Sequence, residues 1–307
     1  STDVPTKKNT YLVNASIDEG KNYLGAELHL GILTITGRQI EQPKITGTYT
    51  YTGAELTADI EESADYKITG NKATAAGTHI VTVSLNDKAN TAWKNGGHAA
   101  IELSWVIAQA NPTIDDLVST IPTDVVYGQP YEVTVASKAT VFGLGEITLL
   151  YNGTAAAPVN AGTYKVNASI ATGTNYTAAE IYLNDLVIAK ATPVAANITC
   201  VMEDVVYDGK EHALTAKAAD GVVGLGVITL EYNGTVAAPV AAGTYKVNAS
   251  IAAGENYVAA TVELGTFNIT KATLTAADFT FTPALPVSYE EGSAEAVVVT
   301  VKEGIFG

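Results

Sequence analysis

One decapeptide constrains this chain more than anything else in it. Ala161-Gly162-Thr163-Tyr164-Lys165-Val166-Asn167-Ala168-Ser169-Ile170 returns unchanged except for its partners as Ala242 to Ile251, 81 residues further on. A degraded copy runs from Asn9 to Ile17, and a distant one, Ala76-Gly77-Thr78-His79-Ile80-Val81-Thr82-Val83-Ser84-Leu85, lies between them. Tyr164, Val166, Ala168 and Ile170 alternate with Thr163, Lys165, Asn167 and Ser169, which is the period of a strand buried on one face. Four copies of one strand make the chain a tandem array of small β domains.

The copies set the boundaries. Residues 1–36 read as the back half of a unit, with Pro5 standing where Pro239 stands and Asn22-Tyr23 where Asn256-Tyr257 stand. Residues 37–110 form a related but distinct unit opened by Tyr49-Thr50-Tyr51-Thr52-Gly53. Residues 111–190 and 191–271 are the closest pair, and 272–307 begin a further unit. Asn152-Gly153 and Asn233-Gly234 are tight-turn signals. Each full unit reads as some seven short strands with no helical period. The final strand of three units changes parity, from Leu28/Leu30 to Leu33/Ile35, Ile181/Leu183 to Leu186/Ile188, and Val262/Leu264 to Phe267/Ile269. Gly31, Asn184 and Gly265 sit at the switch, where a β-bulge is expected. Tyr164 and Tyr245 are expected to anchor the core.

No Gly/Ser or Pro-rich spacer separates the units; Ile188-Ala189-Lys190-Ala191 runs straight into the next. That predicts a stiff, elongated rod. Strands of about ten residues span roughly 33 Å, so four domain-equivalents reach on the order of 130–150 Å end to end.

At these landmarks a resemblance appears. Val126-Tyr127-Gly128-Gln129, Gly143-Leu144-Gly145 and Ala161-Gly162-Thr163-Tyr164 resemble the bacterial MBG domain of YGX type. Val206-Tyr207-Asp208-Gly209 with Ala242-Gly243-Thr244-Tyr245 and Asn256-Tyr257 resembles its YDG relative. Residues 37–110 are similar to another bacterial Ig-like repeat with a Trp-bearing last strand. The resemblance implies an all-β chain of tandem immunoglobulin-like sandwiches from a secreted or surface-attached bacterial protein. Such units serve there as stalks and adhesive arrays, and the families carry no catalytic residues or cofactors.

Composition narrows the partners. A formal charge of -15 argues against nucleic acid and anionic membrane surfaces. Cys200 is the single cysteine, which excludes an intrachain disulfide. No apolar run reaches membrane-spanning length, so no insertion is expected in this segment. His29, His79, His98 and His212 fall at unrelated places without metal-ligand spacing; His79, in the tyrosine slot, reads as structural. Gly143-Leu144-Gly145 and Gly224-Leu225-Gly226 precede no helix and are not phosphate cradles. The acid pairs Glu61-Glu62, Asp115-Asp116 and Glu290-Glu291 lack the alternation of calcium loops. Lys165 and Lys246 point outward on their strands, which disfavours an isopeptide cross-link. The Asn-X-Ser/Thr sequons (Asn14, Asn152, Asn167, Asn175, Asn197, Asn233, Asn248, Asn268) follow from repeat-locked positions.

Two further readings remain open. Trp105 alternates inward with Ile101, Leu103 and Ile107, but Trp93, in a loop from Lys88 to Gly97 beside Asn95-Gly96-Gly97, is the one candidate ligand contact, for a glycan or host-surface ligand. The expected partners are otherwise neighbouring repeats or self-association. Ser1 matches Thr235 and Gly307 matches Gly224, so the two partial units are nearly complementary. Either the tail of one molecule pairs with the head of the next and builds a filament, or the chain is a piece of a longer array. The leading expectation is an extracellular stalk or adhesin segment; a carbohydrate-binding array is the remaining alternative.

Overall fold

The computed structural model describes residues 4–282 and 298–305. Ser1, Glu290, Glu291 and Gly307 lie outside the described residues. The chain is all-β; among the described residues its strands are joined by turns and loops that include short 3₁₀ turns such as Ala195–Asn197. Contacts gather it into two compact units. One comprises residues up to 120, 134–155 and 166–184; the other comprises 121–133, 156–165 and the residues from 185 on.

The second unit contains all of residues 191–271. Its decapeptide strand, Gly243–Ile251, lies between Ile228–Tyr232 and the long last strand Ala260–Thr270, all antiparallel. The two-residue strand Val205–Val206 closes the sheet by pairing parallel to the end of the last strand, Val205 opposite Ile269. A second layer, Ile198–Cys200 paired with Ala216–Ala218, covers it. Alternation does the burying: Val247, Ala249 and Ile251 face inward, Ile198 packs on Ala249 and Ile251, and Tyr232 packs with Phe267 and Ile269. The described residues hold six strands in this repeat rather than seven. Between Tyr207 and Thr215 the backbone turns at Asp208-Gly209, and its amides bond elsewhere: His212 N–H donates to Pro239 O and Leu214 N–H to the Tyr232 hydroxyl.

The parity switch is a bulge, as expected. Val247 pairs with Gly265 and Asn248 with Glu263, leaving Leu264 as the extra residue, and Gly265 adopts φ +144°. The hairpin Asn9–Ile17/Ala26–Ile35 of the first unit repeats this, with Val13 opposite Gly31, Asn14 opposite His29, and Gly31 at φ +137°. In Ala179–Ala189 the inward positions move from Ile181 and Leu183 to Leu186 and Ile188.

Repeat 37–110, in the first unit, builds its four-stranded sheet from Tyr49–Thr50, Ile101–Ala108, Gly77–Leu85 and Tyr66–Thr69. The register is unbroken, His79 opposite Trp105 and Val83 opposite Ile101. Trp105 and Ile107 are buried as the alternation requires.

Candidate functional site

The expected ligand contact is inside the core. Trp93 is not in a loop but in the strand Thr91–Trp93, paired parallel to Arg38–Ile40. Its ring is 1% exposed, beside Tyr66, and its indole N–H donates to Ala99 O at 2.8 Å. The neighbouring glycines turn the chain outside the ring rather than baring it. Trp93 therefore offers no face for a sugar to stack on.

The decapeptide tyrosines sit at the rim of the core, where Tyr245 packs against the buried cluster of Tyr232, Val247, Phe267 and Ile269. Tyr164 and Tyr245 are half-buried, and each hydroxyl donates to the carbonyl four residues upstream, Asn160 O at 3.0 Å and Ala241 O at 2.7 Å. Tyr11 bonds to Lys7 O in the same way, and His79 Nε2 meets Ala75 O at 2.8 Å. The slot fastens the turn that enters the strand, and His79 fits it because a ring nitrogen reaches as a phenol does. Among the described residues no three His, Cys, Asp or Glu side chains gather around a common point. Burial pushes the Cys200 thiol above its ordinary value, away from the reactive thiolate.

The residues that are brought together are Asn256-Tyr257, a landmark of the repeat alignment and of the family resemblance, and Asn175-Tyr176, of which the sequence singles out only the sequon Asn175. Each dipeptide belongs to one repeat and completes the end of the repeat before it. Asn256 is fully buried. Its Oδ1 accepts from the Ala161 N–H at 2.8 Å, at the turn that opens the preceding decapeptide strand. Its Nδ2 donates to Asn160 Oδ1 at 3.1 Å and Val223 O at 3.3 Å. Its backbone continues the clamp: Ala191 N–H donates to Asn256 O, and Val258 N–H to Ala191 O. Lys190 Nζ adds a bond to Gly254 O at 2.7 Å. Tyr257 packs edge-on against Tyr127, centroids 5.4 Å apart. Burial, with the Tyr127 phenol adding to it, raises the Tyr257 hydroxyl above its ordinary pKa.

The same joint recurs in the first unit. Asn175 Oδ1 accepts from Ala76 N–H at 2.9 Å and its Nδ2 donates to Phe142 O at 3.0 Å. Gln109 takes the place of Lys190, reaching Gly173 O at 2.7 Å. Tyr176 meets Tyr51 edge-on at 5.4 Å and is part of the core that contains Trp93, Trp105 and Ile107.

The Gly-Leu-Gly loops support the corner from behind. Asn256 N–H donates to Gly224 O and Ala252 N–H to Val227 O. A Cβ on Gly226 would stand 2.0 Å from Ala252 O, and one on Gly145 would stand 1.9 Å from Ala171 O. These glycines permit backbone to lie on backbone, which is why a phosphate-loop spelling occurs without a phosphate site.

Sandwich repeats in tandem, two of them seated on the preceding repeat by a buried Asn-Tyr corner, suggest a structural repeat segment. Residues 118–192 and 196–273 each match the MBG domain family. No curated protein matches the chain. Among solved structures it is similar to "PcdhgB3 EC1-4 in 50 mM HEPES" (11% identity, 87% of this chain and 84% of that one, TM-score 0.22). A second is "Sidekick-1 immunoglobulin domains 1-4, crystal form 1" (12% identity, 80% and 73%, TM-score 0.16).

Proposed function

We propose that this chain is a non-catalytic spacer segment, a stalk or adhesive array of an extracellular bacterial surface protein. The observation that carries the reading is the joint. A flexible tether needs no buried amide between its beads, whereas an element that must hold a display distance does. Asn175 and Asn256 replace a linker by hydrogen bonds in both joints where a corner is seated. The acidic, disulfide-free composition suits a soluble surface exposed to solvent.

The test is topological. Antibodies against residues 111–271 are expected to label intact producing cells or their culture medium, and protease applied to unbroken cells should release peptides of this segment. Labelling that requires lysis would overturn the reading. No observation favours a carbohydrate-binding array, because the ring on which that idea rested is buried.

A further inference from the structure

In each full repeat a two-residue strand runs parallel to the end of the last strand. Tyr49–Thr50 pairs with Ile107 and Ala108, Val125–Val126 with Ile188 and Ala189, and Val205–Val206 with Ile269 and Thr270. The next residue extends each pair, as Tyr51, Tyr127 and Tyr207 donate their N–H to Ala108 O, Ala189 O and Thr270 O, all at 2.9 Å. The direction of these pairs matters under tension. In residues 191–271 the chain enters at Ala191, whose N–H donates to Asn256 O and whose carbonyl accepts from Val258 N–H, just ahead of the last strand. It leaves at Thr270, the far end of that strand. Pulling the two ends apart draws Val205–Val206 backward along a last strand that is itself drawn forward. The bonds between them span the sliding gap and are loaded together, whereas antiparallel neighbours open one bond after another.

One of the three pairs is braced. Asp204, the residue before Val205, accepts from Asn268 N–H at 3.2 Å and from Asn268 Nδ2 at 3.0 Å. Asn268 Oδ1 in turn accepts from the Thr244 hydroxyl at 2.7 Å, so one amide ties the last strand to both of its neighbours. Thr270 Oγ1 adds a bond to Val205 O at 3.1 Å. In the other two repeats Val106 and Val187 hold the place of Asn268, and Ala108 and Ala189 that of Thr270. None of those four side chains can donate or accept a hydrogen bond.

We propose that the chain carries tension along its length, that these parallel pairs are its mechanical clamps, and that the Asp204–Asn268 brace makes residues 191–271 the last full repeat to yield. The inference rests on the spacer reading for the source of the load, because a spacer is pulled whenever the things it separates move apart. In residues 191–271 the pair of Ile198–Cys200 with Ala216–Ala218 lies between the entering chain and the clamp, so it is loaded first and gives a short extension. The clamp then sets the lifetime of the repeat, since the strands behind it are antiparallel and peel apart once it has slid. Clamps of unequal strength let one repeat lengthen and absorb a pull while its neighbour keeps its fold.

The experiment uses the 307-residue chain, tethered at its two ends and held at constant force in magnetic tweezers. A full repeat of about 80 residues, at roughly 3.3–3.6 Å each less its folded length, should release on the order of 250 Å when it yields. One of these long steps should outlast the others. Asp204→Ala removes the acceptor of the brace, and Asn268→Val gives the last strand the residue its neighbour repeats carry. Each should shorten the longest lifetime about fivefold or more, because forced unfolding reads the unfolding rate directly. Ile228→Val trims a side chain that packs on the Ile198, Ala249 and Ile251 core from the edge strand of the same sheet. It should lower the urea midpoint and leave the lifetime under tension unchanged, which separates a clamp from a merely stabilising contact. Circular dichroism is the folding control. Long steps of equal lifetime, brace variants as durable as the parent, or Ile228→Val as short-lived as Asp204→Ala would each overturn the proposal. Those outcomes leave the surface-labelling test of the spacer reading untouched, and failure of that test would leave these lifetimes as measured.

Discussion

Asn256 is the residue on which most depends, because its amide accepts through Oδ1 and donates through Nδ2 at the same time. Asn256→Ala strips the partners from the Ala161 N–H and the Val223 carbonyl inside a closed joint. An orphaned buried polar group costs about 1–3 kcal/mol, so the variant should lose about 2–4 kcal/mol in urea unfolding. Asn22→Ala, on an exposed residue, should lose almost nothing. Tyr257 supplies a second test through pH. Its folded pKa is raised above the ordinary value of 10.0 by burial, so the unfolded chain gives up the proton first. Stability from this group is complete below about pH 10 and is lost as pH rises through the folded value. Alkaline melts should show the parent weakening above about pH 10 more steeply than Tyr257→Phe, which keeps the packing against Tyr127 and removes the titrating group.

At the level of strands and turns, the glycine loops separate two kinds of cost. Gly226→Ala drives a methyl into the Ala252 carbonyl at 2.0 Å and must displace backbone, so a loss of about 2–4 kcal/mol in thermal or denaturant melts is expected. Gly234→Ala meets nothing within 4 Å and bears only its φ of +86°, about 1–2 kcal/mol. Equal losses at the two sites would sink this distinction. The strands, the bulge at Gly265 and the inward Trp105 were legible because each is written in local alternation, two residues at a time. The joint was not, because Asn256 answers to Ala161, 95 residues earlier, and no local pattern announces a partner in another repeat. The signal available was the recurrence of Asn-Tyr at fixed distance from the decapeptide, where a landmark of the repeat is also the residue that fastens it. Trp93 misled for the opposite reason. Its neighbours Asn95-Gly96-Gly97 are turn formers, but the turn returns Gly97 O to the Trp93 backbone N–H and carries Ala99 O to the indole N–H of the buried ring.

For the molecule as a whole, each joint makes the stability of a repeat depend on its follower, the nearest-neighbour arrangement of stacked repeats. Asn256→Ala opens one joint from the follower's side and leaves the other intact, so hydrogen exchange at the Ala161 amide should speed up while the Ala76 amide, held by Asn175, stays as slow as in the parent. Equal loss of protection at the two amides would reject joints that act separately.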